Sequence, residues 1–386
     1  MNSPLENSLH TLRSKFPHIE EGYTYMNHCA ISPLSNPVRQ ALERYLEERN
    51  RGPVENFEQW MEVAAEGKEK ITRLINASSP GQIAFTGNTS DGLSIVAEGV
   101  SWNRGDQILL NDMEFPANVH PFRALHRKGV TTTVIKTRGE RITAEEIWNA
   151  ITPNTRMVTV SAVQYLGGYR ADLRKIGELC RQENLLFVVD GIQALGADSI
   201  DVQDTQIDAL ATGGHKWLMA PMGIGFLYLS DRLMNLLEPV HIGWRSVEQP
   251  WELTRFDQPW RETADRFETG TPNMSGITGL NASLNLLLEV GISDIEQHLK
   301  LLTRHASNHI KELAGCTVVT PMGESERAGI LSFRLPEGED PEELVRKLKQ
   351  EKFILSSREG RIRIAPHFYN TIYEVDELFA RIRTYR

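Results

Sequence analysis

Apolar residues along this chain recur at two spacings, and the change from one to the other lays out the elements. From about residue 83 to 230, short continuous apolar runs are separated by amphipathic stretches and by turns of Gly, Asn, Asp and Pro. Runs of about four to eight apolar residues between such turns read as buried strands. The expected strands are 83–86, 107–111, 130–135, 155–163, 185–190, 207–211 and 225–229. Between them the spacing turns helical, over 93–98, 144–151 and 173–183. Strands alternating with helices predict a mostly parallel sheet covered on both faces. The expected fold class is therefore α/β, with a large domain built on a mostly parallel, seven-stranded type of sheet.

The flanks differ. Leu9, Leu12 and Phe16 mark a short N-terminal helix, and longer amphipathic helices are expected over 37–50 and 57–75. Beyond the helix 231–237 comes an aromatic-rich loop that holds Trp244, Trp251 and Trp260, three of the chain's 7 tryptophans. Helices over 275–290 and 292–313 follow. Short strands at 318–319, 330–334, 354–357 and 361–365, with helices 341–351 and 375–385, suit a smaller α+β domain. The expected division is an N-terminal arm (1–22), a large domain (23–262) and a small C-terminal domain (263–386).

At 386 residues the chain is long enough for two domains. Its net charge of -9 argues against a nucleic-acid-binding surface, which needs a basic patch. The 3 cysteines, Cys29, Cys180 and Cys316, are far apart and show neither metal-ligand spacing nor a disulfide framework. No metal site is expected. Residues 1–15 lack the basic flank and apolar block of a signal peptide, and no apolar run approaches a membrane span. A cytoplasmic protein with no membrane partner is the expectation.

Candidate chemistry gathers at strand ends. The run Leu185-Leu186-Phe187-Val188-Val189 ends in Asp190, and the run Ile207 to Ala211 leads into Thr212-Gly213-Gly214-His215-Lys216-Trp217. Ligands of open α/β sheets bind outside the carboxyl ends of strands, so Asp190 and Lys216 face one crevice. A lysine for a Schiff base and an aspartate for a ring nitrogen are what pyridoxal 5'-phosphate requires. The turn Gly87-Asn88-Thr89-Ser90-Asp91-Gly92 opens a helix, where free N–H groups and the helix dipole favour an anion such as a phosphate.

The segments Val189-Asp190-Gly191-Ile192-Gln193-Ala194 and Gly214-His215-Lys216-Trp217-Leu218 resemble those of the class V aminotransferase family. This is the fold-type-I branch of pyridoxal-phosphate enzymes that includes cysteine desulfurases, kynureninase and isopenicillin-N-epimerase-like proteins. The resemblance runs from Asn27 to Asn370. It implies a phosphate site at Thr89 and Ser90, an aromatic face on the cofactor ring from Phe115, and an amide near its phenolic oxygen or the substrate from Gln164. Gln193 would donate to that oxygen, and His215 would stack or bond beside the lysine. In Arg361-Ile362-Arg363-Ile364-Ala365-Pro366-His367-Phe368-Tyr369-Asn370, Arg363 stands where the family binds the substrate carboxylate, a task that suits a guanidinium fork. Thr271, in Thr269-Gly270-Thr271-Pro272-Asn273, would reach the phosphate in a second subunit, implying a homodimer with shared sites. Asn27, Trp244 and Arg245 are expected around the substrate.

Three features depart from the desulfurases. Gly213 replaces a frequent serine, with Thr212 a possible substitute at the phosphate, and the segment Ser356-Ser357-Arg358-Glu359-Gly360 contains no cysteine. Phenylalanine also stands at 115 where desulfurases usually carry histidine. The resemblance thus implies chemistry at the α-carbon of an amino acid, with transamination foremost. A C–S or β-elimination lyase and an epimerase are alternatives within the class, and a non-catalytic cofactor-binding protein is one outside it.

Overall fold

In a computed structural model describing residues 3–386, the central apolar runs form one seven-stranded sheet. The strands are β1 (Ile83–Thr86), β2 (Gln107–Asn111), β3 (Thr131–Ile135), β4 (Thr155–Ser161), β5 (Leu186–Asp190), β6 (Ala209–Gly213) and β7 (Gly225–Leu229). Their spatial order is β1-β7-β6-β5-β4-β2-β3. β2 to β6 run parallel, whereas β7 is antiparallel to both of its neighbours. β5, β6 and β7 are buried at every residue, because helices cover both faces.

Alternation along each strand sorts side chains to two cores. Val188, Ala209, Ala211 and Leu227 pack on one face with Leu93 and Val96 of α3 (Thr89–Gly99). Phe187, Val189, Leu210 and Phe226 pack on the other, with Ile176 and Leu179 among them. Those two residues belong to the amphipathic helix α4 (Leu173–Gln182). The chain steps from β2 outward to β3, and from β4 through β5 to β6 in the opposite direction. Strand order therefore reverses between β2 and β4, the place where open α/β sheets bind ligands.

Helices α1 (Asn36–Arg51) and α2 (Phe57–Ile75) pack against α5 (Met274–Val290). Helix α6 (Ile292–Glu312) leads to a four-stranded antiparallel sheet of β8 (Thr317–Val318), β9 (Leu331–Arg334), β10 (Ser356–Arg358) and β11 (Arg361–Ile364), ordered β10-β11-β9-β8. Helices α7 (Pro341–Gln350) and α8 (Ile372–Tyr385) complete this part. The N-terminal segment crosses to it: Thr24–Tyr25 pairs in parallel with Phe353–Ile354, and Asn27 bridges Ala365.

Three elements differ from expectation. Helix α3 begins at Thr89, four residues before the first apolar position, because Asn88 caps it by accepting from the Asp91 N–H at 3.0 Å. The apolar spacing alone could not register a polar first turn. The strand expected at 354–357 is divided, its first part joining Thr24–Tyr25 and its second becoming β10. The helix expected over 231–237 is a single turn, Asp231–Met234. Among the described residues no helix is long and apolar enough to cross a membrane.

Candidate active site

The carboxyl ends of β4, β5 and β6 open into a cavity of about 370 Å³ whose wall includes Asp190, His215 and Lys216. β5 delivers Asp190 to its inner end, where the side chain is 2 % exposed and Oδ1 accepts from the Ile192 N–H at 3.0 Å. Burial pushes this carboxyl up to about 7, and the Glu114 charge adds to the effect against the pull of the Ile192 N–H and of Lys216.

The chain leaves β6 into a tight turn that presents Lys216. Gly214 N–H donates to Ile224 O at 2.8 Å, and Met219 N–H returns to Lys216 O at 2.8 Å. Met219 takes up a left-handed backbone (φ 50), an uncommon state for a side chain of this kind and one held by full burial. Lys216 Nζ lies 5.5 Å from the centroid of the Phe115 ring. Burial lowers its pKa, with Arg363 and Arg358 adding to the shift and Asp190 and Cys29 opposing it. A desolvated amine of lowered pKa is a better nucleophile and proton carrier. Burial, then the neighbouring Lys216 charge, lowers His215 as well.

At one end of the cavity lie Thr89 and Ser90, in the first turn of α3. The Thr89 hydroxyl is buried without a hydrogen-bond partner in the protein, and so is Gln164 Oε1. Phe115 meets Tyr165 edge to face, with centroids 5.2 Å apart. Gln193 lines the cavity, but its amide is already engaged: Nε2 donates to Cys29 O at 3.0 Å, and Oε1 accepts from Trp217 Nε1 at 2.9 Å. A second amide hydrogen stays available for a ligand.

At the other end β11 supplies Arg363, buried at 2 % exposure. Its Nη1 donates to Tyr165 O at 2.7 Å, and Nη2 and Nε donate to Ser356 Oγ at 3.1 and 3.3 Å. The guanidinium is therefore fixed in place with donors to spare for a carboxylate. Arg358 of β10 lines the same cavity. The two strands join through Glu359 and Gly360, both of positive φ (49 and 69), in a two-residue turn.

Not every expected residue meets here. The Thr212 hydroxyl donates to Gly213 O at 3.2 Å and does not line the cavity, so it does not replace the missing serine. A Cβ at Gly213 would fall 3.2 Å from the His215 ring, and a side chain there would displace that ring. Asn27 stands behind Cys29, its Oδ1 3.7 Å from the thiol. Trp244 packs edge to face on Trp251. Arg245 pairs with Glu268 at 3.5 Å and, with Thr271, lines a second cavity of about 440 Å³. Within one chain Thr271, Trp244 and Arg245 are thus outside the wall of the Lys216 cavity.

Other residues matter that the sequence reading left aside. Glu114, buried next to Phe115 in the chain, accepts from Asn111 Nδ2, the Ser161 N–H and Gln164 Nε2 at one oxygen and from Asn118 Nδ2 and Ser161 Oγ at the other. It fixes the Gln164 amide. His367 Nδ1 accepts the Phe368 N–H at 2.8 Å, so Nε2 carries the proton and donates to Trp217 O at 3.0 Å. The C-terminal motif thereby ties the small sheet to the residue after the lysine. A carboxylate three residues past a strand, or a histidine beside a proline, carries no pattern from which such contacts could be read. Cys29 is also part of the cavity wall.

These residues fit pyridoxal phosphate. The orphaned Thr89 hydroxyl and the first-turn N–H groups of α3 suit its phosphate, the exposed Phe115 face suits its ring, and a buried carboxyl and an amine share the same wall.

Known proteins share this arrangement of the chain. Over 374 residues it is 30% identical to an uncharacterized aminotransferase, YcbU, of Bacillus subtilis, covering 96% of this chain and 97% of that one. It is 29% identical to a probable cysteine desulfurase of Methanothermobacter thermautotrophicus, over 92% and 93% of the two chains. Among solved structures, the apo cysteine desulfurase of Thermococcus onnurineus NA1 superimposes with a TM-score of 0.89 at 26% identity, over 100% of this chain and 98% of the other. The cystine C–S lyase C-DES, in complex with cysteine persulfide, gives 0.87 at 25% identity over 95% and 98%. Residues 24–378 match the family described as Aminotransferase class-V, and the chain is a member of that family.

Proposed function

We propose that this protein is a pyridoxal-phosphate enzyme acting at the α-carbon of an amino acid, with transamination as its main reaction. The observation that carries this reading is the Lys216 amine, buried beside the Phe115 ring in a cavity that also holds Asp190 and Arg363. When bound, the cofactor supplies an aldehyde for the lysine and a ring that withdraws electrons from the α-carbon. Thr89, Ser90 and the α3 N–H groups would hold its phosphate, with Thr271 of a second copy, and Gln164 and Gln193 would face its phenolic oxygen.

The chain's own groups do the rest. Arg363 anchors the substrate α-carboxylate and so fixes which bond of the α-carbon faces the ring. Lys216, an amine of lowered pKa in the same cavity wall, would take the α-proton and return it elsewhere. Asp190, buried and already fixed by the Ile192 N–H, would face the ring nitrogen.

A second reading has its own support. The likeness to C-DES, a cystine C–S lyase, joins a closed β10–β11 turn without a cysteine. Elimination of sulfur from a substrate needs the same lysine and no protein thiol. The test is an absorbance scan of the cofactor-loaded protein against single L- and D-amino acids. Bleaching of the visible band with release of a keto acid would establish transamination. Recovery of the band with pyruvate and sulfide would assign the lyase. Lys216→Ala should lose the wild-type band, and a variant that kept it would overturn the lysine assignment.

A further inference from the structure

Outside the cofactor cavity, three metal-ligating side chains converge where α8 lies against α6. His305 and His309, four residues apart, share one face of α6. Asp376 comes from α8. His305 Nε2 lies 2.6 Å, and His309 Nε2 2.7 Å, from the same Asp376 Oδ1. The three donor atoms all lie within 4.8 Å of one another.

The ligands are held before any ion arrives. The His309 ring stacks on Phe379 with centroids 4.9 Å apart and an interplanar angle of 17°. His305 stands at 89° to it, also at 4.9 Å. A clasp between two helices needs one histidine on one carboxylate. Here two imidazole nitrogens and one carboxylate oxygen meet at a point, the donor set favoured by zinc and similar divalent ions. Ligand bonds of about 2.0–2.2 Å require each nitrogen to draw back from Asp376 Oδ1 by less than about 1 Å. Asp376 and His305 are partly open to solvent, which leaves room for water at the remaining positions.

A ligating histidine gives its other nitrogen to an acceptor. His309 Nδ1 now accepts from Arg383 Nη2 at 3.0 Å, so its proton is on Nε2. Metal at Nε2 would move that proton to Nδ1, and Glu312 Oε2 stands 3.9 Å away to accept it. Arg383, already bonded to Glu312 at 3.2 Å and exposed, is free to yield its place.

We propose that His305, His309 and Asp376 form a divalent zinc-type site that fastens the C-terminal helix α8 to α6. The test uses the untagged, full-length, cofactor-loaded protein after chelator treatment and desalting. Zn²⁺ is titrated in competition with a chromophoric chelator, with Mg²⁺ as a hard-cation control. One equivalent of Zn²⁺ per chain should bind at micromolar affinity or tighter, Mg²⁺ should not, and the thermal midpoint should rise by a few degrees. His305→Ala and Asp376→Asn should each weaken that binding at least tenfold while keeping far-UV circular dichroism and the cofactor band. No Zn²⁺ uptake by the wild type, or unchanged affinity in both variants, would overturn the site.

Discussion

The thiol of Cys29 separates the reactions open to this cavity. It lies in the wall, 4.0 Å from Ser356 Oγ, and the other two cysteines stand elsewhere. Cys180 is a buried residue of α4 with its thiol pushed up to about 12, and Cys316 contacts Arg386. A sulfur-accepting thiol would therefore have to be Cys29, whereas transamination and elimination need only Lys216. Cys29→Ala should accordingly keep kcat within about threefold, since the residue serves as a small apolar wall. A hundredfold loss, together with a persulfide detected on the wild-type residue, would reassign the enzyme to protein-persulfide chemistry. At this scale the meeting of Lys216, Asp190 and Arg363 in one cavity was legible because each stands in a motif of several residues, in or just beyond a strand. Cys29 was not, because a lone cysteine looks the same whether it packs a core or lines a site.

At the scale of elements, the segment between β2 and Asn118 builds a platform rather than a simple connection. Glu114 draws five donors from β2, β4 and the two flanking segments onto one carboxylate, and Phe115 follows it in the chain. Glu114→Gln would set an NH₂ group against either the Ser161 N–H or the Asn118 amide. Leaving a buried donor unpaired costs about 1–3 kcal/mol. The variant should therefore unfold several degrees below the wild type and bind the cofactor about tenfold more weakly, measured by thermal unfolding and cofactor titration. An unchanged midpoint and affinity would show that the network positions nothing. The strands around this platform were legible from their unbroken apolar runs. The network was not, since its members lie on two stretches well apart in the chain, 111–118 and 161–164, and only the sheet order brings them together.

Across the whole molecule, buried neutral histidines join the two sheets, and their chemistry sets a pH limit. His28 bonds Ala365 O and the Tyr369 hydroxyl at 2.8 Å each, and His367 bonds Trp217 O behind the lysine turn. Topology could be read from strand and helix alternation, but this joint could not, because 337 residues separate His28 from Ala365. Burial holds His367 down to about 4 and His28 well below its usual 6.5. The unfolded chain takes up these protons near pH 6.5, and the folded chain resists them. Their stabilisation is thus complete above pH 6.5 and is lost as the pH falls toward 4. Asp190, raised to about 7, works in the opposite direction over the same range, so the total curve mixes both signs. The difference between two proteins isolates one of them. His367→Gln keeps an amide donor for Trp217 O and removes the titration. Unfolding free energy plotted against pH between 4 and 6.5 should then rise less steeply, by about 1.4 kcal/mol per pH unit, the value of one proton. Parallel curves for wild type and variant would mean that His367 is protonated equally in both states and that acid does not act on the lysine turn through it.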